Sequence, residues 1–126
     1  MSAPAVKASI GMRELADRSG VAPSAIRFYD RNGLIHAERT SGNQRRFHET
    51  TACVIKVIRV AQRVGLSVAE IRELTDRLPP PERIGLDDWF RFRSALEDEV
   101  RQRIAALNSA LDDLTGDTAL CRVPPA

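Results

Sequence analysis

The densest binding chemistry in this 126-residue chain lies in one eight-residue window, where Arg39, Asn43, Gln44, Arg45 and Arg46 set three guanidinium groups and two amides around Gly42. A guanidinium offers a planar fork of donors that fits phosphate oxygens or one edge of guanine, and an amide can both donate and accept. A second set lies upstream, with Ser24, Arg27, Phe28, Tyr29 and Arg31 within one short segment. Neither set resembles a catalytic constellation. The only histidines, His36 and His48, flank the window without a Ser, Cys or carboxylate grouping that would make them general acids or bases, so an enzyme is not expected. His48 suits either the cap of a following helix or a phosphate contact.

These side chains need short, rigid elements to present them. Residues 1–9 read as a loose leader. Met12 to Arg18 has helical character, with Gly11 as its N-cap and Glu14 in the first turn, where a carboxylate favours the helix dipole. Ser19-Gly20 stops it. A second helix begins at Pro23, whose missing N–H costs nothing at a first helical position, and runs to about Asn32 before Gly33. Two short helices joined by a tight glycine turn form a helix-turn-helix, of which the second helix enters a major groove.

Leu34-Ile35 and Arg46-Phe47 then bracket the polar window as two extended runs of a small β-ribbon, or wing, turned at Gly42-Asn43. A third helix is expected from about Glu49 to Val64. The capping box Ser67-Val-Ala-Glu70 opens a fourth, ending near Leu78. The fold class is therefore mainly α: a winged helix-turn-helix over residues 10–78, a Pro-rich hinge over 79–86 around Pro79-Pro80-Pro81, a long helix over 87–115 and a tail over 116–126.

In the long helix, Val100, Ile104, Leu107, Leu111 and Leu114 step by four and three, the spacing of a coiled-coil seam. Trp89, Phe92 and Leu96 extend that apolar face upstream. So small a head is not expected to cover the helix, and the simplest partner is a second copy, parallel or antiparallel; folding back onto its own domain is the alternative. Dimer contacts are assigned to Trp89, Leu96, Val100, Ile104, Leu107, Leu111 and Leu114.

Charge divides along the same line. Residues 1–65 carry 11 Lys/Arg against 5 Asp/Glu, and residues 66–126 carry 8 against 12, so a net charge of +2 conceals a basic front and an acidic back. A polyanion such as double-stranded DNA is expected at the front only. Arg27 is the candidate base reader. Ser24 and Tyr29 suit phosphate contacts, with packing the alternative for Tyr29, and one face of Phe28 goes to the core. Arg39 and Arg45 are assigned to DNA, while Arg46 serves DNA or pairs with a carboxylate of its own domain. No apolar run nears the ~20 residues of a membrane span, and residues 1–9 lack the apolar core of a signal peptide, so a cytoplasmic protein is expected.

Residues 18–30 (Arg-Ser-Gly-Val-Ala-Pro-Ser-Ala-Ile-Arg-Phe-Tyr-Asp), then Gly33-Leu-Ile35, then Gly42-Asn-Gln-Arg-Arg-Phe47, resemble the MerR family of transcription regulators. Ile58 to Gly65, with Ala61-Gln62-Arg63, and the Leu-Pro before Trp89 resemble its redox-sensing SoxR branch. The resemblance implies a homodimer held by the long helix and a near-palindromic promoter site whose spacer is bent and untwisted, so that RNA polymerase is reached indirectly through the promoter. It places DNA contacts on Ser24, Arg27, Tyr29, Asn43, Arg45 and Arg46.

The tail departs from that branch. SoxR-type regulators hold a [2Fe–2S] cluster on four closely spaced cysteines after the long helix, whereas residues 116–126 contain Cys121 alone. Metal-sensing branches need paired thiolates, usually with one near the start of the long helix, and residues 85–89 have none. No cluster, no metal site and no cofactor are expected. Cys121 is either a redox thiol, through oxidation or an intersubunit bridge, or a residue without a role. Cys53, within the apolar third helix, is expected to be a small core residue. An effector-independent repressor or architectural DNA binder, or a thiol-based oxidation sensor using Cys121, are the alternatives to an effector-gated regulator.

Overall fold

The computed structural model describes residues 9–116. Three short strands, β1 (Ser9–Ile10), β2 (Glu38–Arg39) and β3 (Arg45–His48), accompany five helices: α1 (Met12–Ser19), α2 (Pro23–Arg31), α3 (Thr51–Arg63), α4 (Val68–Thr75) and α5 (Leu86–Thr115). One 3-10 turn, Pro81–Arg83, lies between α4 and α5.

The turn between α1 and α2 follows from backbone chemistry. Gly20 adopts a left-handed conformation at φ +77°, and its N–H closes on Ala16 O at 2.9 Å, a geometry that a side chain would strain. Ala22 then leaves the chain extended, and Pro23 starts α2. Leu15 of α1 and Ile26 of α2 are fully covered, packed in one core with Ile55 and Ile58 of α3. Burying side chains of this size contributes about 1.5–3 kcal/mol each, which fixes the angle at which α2 is presented.

The sheet order is β1-β3-β2, antiparallel throughout, with Ile10 opposite Phe47 and Arg39 opposite Arg45. Two expectations are corrected here. Ser9, assigned to the leader, belongs to β1, because Ile10 buries itself beside Phe47 and draws its neighbour into the ladder. Leu34-Ile35 is not the first strand of the ribbon. Both side chains are buried in the core, and the strand forms later, at Glu38–Arg39. Continuous burial of two adjacent residues is incompatible with one half-exposed ribbon strand, whose successive side chains alternate faces.

His48 resolves as a helix-entry residue. Its Nδ1 accepts from the Thr50 N–H at 3.2 Å, where α3 begins. The capping box at Ser67 forms as expected, with Glu70 N–H donating to Ser67 Oγ at 3.1 Å and Ser67 N–H donating to Glu70 Oε1 at 2.8 Å. α4 is shorter than expected and stops at Thr75.

α5 is 30 residues long, or about 45 Å at ~1.5 Å per residue. Its first half packs on its own head. Phe92 and Leu96 are buried, and Arg103 reaches back to Glu70 at 3.2 Å and to Val64 O at 3.5 Å. Leu96 is thereby corrected from a dimer-seam residue to a core residue, since its own chain already covers it. Beyond Arg103 the helix leaves the head, and Ile104, Leu107, Leu111 and Leu114 are all more than half exposed.

Candidate nucleic-acid interface

Within α2, Ser24, Arg27 and Arg31 recur at three and four residues and are exposed, while Ile26 and Tyr29 turn inward. This division is what a helix needs to bury one side and offer the other. Phe28 is half-buried and packs against the core, its ring 6.1 Å from that of Tyr29 in an edge-on arrangement. The exposed stripe thus consists of one hydroxyl and two guanidiniums.

Tyr29 takes the packed position that was the alternative to a phosphate contact. It is only 4% exposed, and its hydroxyl donates to Gln62 Oε1 at 2.9 Å. Burial raises its pKa, against the opposing pull of the Arg59 charge and the Gln62 hydrogen bond, so the phenol stays protonated and remains the donor at neutral pH. Its contact with α3 pins the recognition helix from behind. The hydroxyl could join a phosphate only by giving up or sharing that partner.

The wing turns at Thr40–Asn43, where Asn43 N–H closes on Thr40 O at 2.8 Å. Asn43 carries the positive φ of +62°, a conformation that asparagine tolerates better than most residues. Its Oδ1 accepts from Arg39 Nη1 at 3.2 Å, so the turn amide also braces the neighbouring guanidinium. Gln44 is exposed, its backbone N–H held by Thr40 Oγ1 at 3.1 Å.

Arg45 and Arg46 both find partners within their own domain. Arg45 is the one that pairs with a carboxylate: its Nε lies 2.8 Å from Asp30 Oδ2, with both side chains about one-fifth exposed. Arg46 instead donates from Nε to Ser9 Oγ at 3.0 Å and from Nη2 to Ser9 O at 2.9 Å, clamping β1. The register explains the first of these contacts. Arg39 and Arg45 stand directly opposite across the ladder, and like charges so placed repel unless a counter-charge lies nearby. Asp30, at the end of α2, supplies it. The same ion pair ties the wing to α2.

Among the described residues, Arg27, Arg31 and Arg39 form no ion pair. Unspent guanidiniums on α2 and the wing are suited to replace the counterions of a phosphate backbone. Two features were missed in the sequence. Asp30 was given no role of its own in the sequence, and only the fold, with Arg45 opposite Arg39, reveals its use. Lys56, Arg59 and Arg63 share one exposed side of α3, with Arg59 Nη1 reaching Gly20 O at 3.5 Å beside the helix-turn-helix turn. Their three- and four-residue spacing was a readable signal of a second basic strip.

Known proteins agree with this geometry. A family model described as MerR HTH family regulatory protein matches residues 11–78, and a second, described as MerR, DNA binding, matches residues 54–116. The chain belongs to the MerR family. Over 108 residues it is 37% identical to an HTH-type transcriptional activator SoxR homolog of Chromobacterium violaceum, covering 86% of this chain and 73% of that protein. It is 34% identical to the HTH-type transcriptional regulator ZntR of Escherichia coli K12, covering 76% and 69% respectively. Among solved structures, a MerR family transcriptional regulator from Listeria monocytogenes aligns with a TM-score of 0.56 at 28% identity, covering 83% of this chain and 80% of that one. The fold is also that of HiNmlR, a MerR family regulator lacking the sensor domain and crystallised bound to promoter DNA (TM-score 0.55, 24% identity, 82% of each chain).

This MerR-type chain is accordingly a DNA-binding transcriptional regulator with a winged helix-turn-helix. No helix among the described residues is long and apolar enough to cross a membrane. The iron–sulfur chemistry of the SoxR branch does not fit the donors here. The whole chain holds two cysteines, one on α3 and one at position 121, where a [2Fe–2S] centre takes four thiolates at one place. Cys121 lies outside the described residues. Cys53, expected in the core, is exposed. It falls on the side of α3 shared with Lys56, Val57 and Val60, whereas the buried positions are Ala52, Val54, Ile55, Ile58 and Ala61.

Proposed function

We propose that two copies of this regulator pair through the projecting end of α5 and bind a near-palindromic promoter site, each head placing α2 in a major groove and its wing along the flanking backbone. The observation that carries this reading is the joint exposure of Ser24, Arg27 and Arg31 with Arg39, Asn43 and Gln44, on two elements locked together by Asp30 and Arg45. Arg27 reads a base edge by a bidentate contact, Ser24 and Arg39 hold phosphates, and Arg31 and Gln44 extend the footprint. Arg45 and Arg46 act mainly by setting the wing's position, with their remaining N–H groups turned to the backbone. Tyr29 supports α2 from behind.

The dimer is supported by four apolar side chains, Ile104, Leu107, Leu111 and Leu114, that the protomer leaves exposed on one seam. Two-fold symmetry in the protein demands two-fold symmetry in the operator, with half-sites one helical turn or a multiple apart. A rigid pair of heads that does not match straight DNA bends and untwists the spacer, and RNA polymerase senses the protein through that distortion. The working location is the cytoplasm, where promoter DNA is found, and the role is regulatory rather than enzymatic.

In vitro transcription from a bound promoter tests this reading. The expected result is a change in transcript that depends on spacer length, and that disappears when Arg27→Ala abolishes occupancy. Full occupancy with no change in transcription at any spacer length would leave only a passive binder.

A further inference from the structure

A cavity of about 460 Å³ lies where the segment after α2, the start of α3, the end of α4 and the Pro-rich hinge come together. Its size suits a small ligand, and none of its lining residues is assigned above to DNA or to the dimer. We propose that this cavity binds a small organic cation, a protonated amine carried on a compact hydrocarbon body.

Thr51 carries the argument. It lines the cavity, is only 2% exposed, and its Oγ1 is buried without a hydrogen-bond partner among the described residues. A buried hydroxyl left unpaired costs the fold free energy, so such groups are scarce in native structures. The neighbouring hydroxyl is already used: Thr50 Oγ1 donates to Pro81 O at 3.3 Å and lies 2.9 Å from His48 Nδ1. That contact holds the start of α3 against the hinge. The next residue on each side of it, Thr51 and Glu82, lines the cavity. A cationic head placed there meets a hydroxyl oxygen and a carboxylate together.

The chemistry of the walls selects a cation. Pro79, Pro80 and Pro81 have carbonyl oxygens but no N–H, so the backbone of this wall can only accept hydrogen bonds. The Gly33 and Leu34 N–H groups are spent on Asp30 O at 3.1 Å and Tyr29 O at 2.9 Å. Two carboxylate residues, Asp76 and Glu82, belong to the lining, and no lysine or arginine does. Arg72 draws on Asp76 at 3.9 Å, whereas Glu82 forms no ion pair among the described residues. An ammonium brings three donors and no acceptor, the complement of that set. Leu34, Ile35, Val54 and Leu78 supply apolar surface for its hydrocarbon part. Occupancy ties the segment leaving α2 to the hinge leading into α5, and so stabilises the head.

The test titrates the full chain with cyclohexylammonium, and in parallel with cyclohexanol and cyclohexanecarboxylate, which keep the ring and change the charge. Amide NMR spectra at constant ionic strength follow the binding. The expected result is saturable binding of the ammonium, roughly tenfold tighter than either other probe, with shifts gathered at residues 34–36, 51, 54 and 75–78. Thr51→Val keeps the shape and removes the hydroxyl. It should weaken the ammonium about tenfold, yet leave the melting temperature of the free protein unchanged or raised. Glu82→Gln, at an exposed position, should weaken it about threefold. A lower melting temperature for Thr51→Val would show that the hydroxyl already has a partner, and would overturn the argument. Absence of saturable binding, shifts centred elsewhere, or a neutral or anionic probe that binds as tightly would contradict the proposal.

Discussion

Arg45 shows how a residue read as a DNA contact acquires a second duty from its neighbours. In the sequence it is one of three arginines in a polar window, and its type and position suggest a phosphate. In the fold it stands opposite Arg39 and leans on Asp30 at 2.8 Å, an arrangement that only the strand register creates. A charge-assisted pair this sheltered is expected to contribute about 1–2 kcal/mol, between the values for exposed and buried pairs. A double-mutant cycle of Asp30→Ala and Arg45→Ala, followed by urea unfolding, should therefore return a coupling near that size. Simple additivity of the two losses would remove the pair from the account of how the wing is held. Cys53 was misplaced, and the choice between contact and packing at Tyr29 was left open, for a related reason. Both lie on helices where one step of 100° separates core from surface, and composition alone does not give the phase.

At the level of elements, the helices were legible because their ends carry local chemistry. Gly20, Pro23 and the Ser67–Glu70 box each satisfy or remove backbone donors regardless of the rest of the fold. The strands were less legible, since two-residue strands such as β1 and β2 have no periodicity of their own and exist only by pairing with β3. The capping box also makes a pH prediction. Hydrogen bonds from Ser67 hold the Glu70 carboxyl below its ordinary pKa of 4.5, so its contribution to stability is present above that value and fades as pH falls through the lower, folded pKa. Melting curves of wild type and Glu70→Gln should differ at neutral pH and converge in acid. A difference that persists unchanged below the carboxylate range would show that the Glu70 charge is not what the cap uses.

At the scale of the whole molecule, the long helix divides into two parts that the heptad pattern does not separate. Phe92 and Leu96 belong to the head, and the seam from Ile104 to Leu114 belongs to whatever pairs with it. Both parts obey helical spacing, and the boundary is set by the length of the head beside α5, which a sequence read one segment at a time does not reveal. Leu111→Asp should convert the proposed dimer to monomer in light scattering at micromolar concentration, with the melting of the head little changed, because Leu111 is already 57% exposed in the protomer. A dimer that survives this change would move the interface off the seam.

The central claim is that paired heads read DNA through the exposed stripe of α2 and the wing. Fluorescence anisotropy of a labelled promoter duplex, titrated with the protein across a series of salt concentrations, tests it most directly. Wild type should bind with an affinity that falls linearly in log–log form with salt. Arg39→Ala should weaken binding to every sequence and reduce the salt slope by about one for each phosphate left without its guanidinium. Arg27→Ala should cost about 1–3 kcal/mol on the specific site and narrow its margin over random DNA. Unchanged affinity, slope and specificity in both variants would contradict the account.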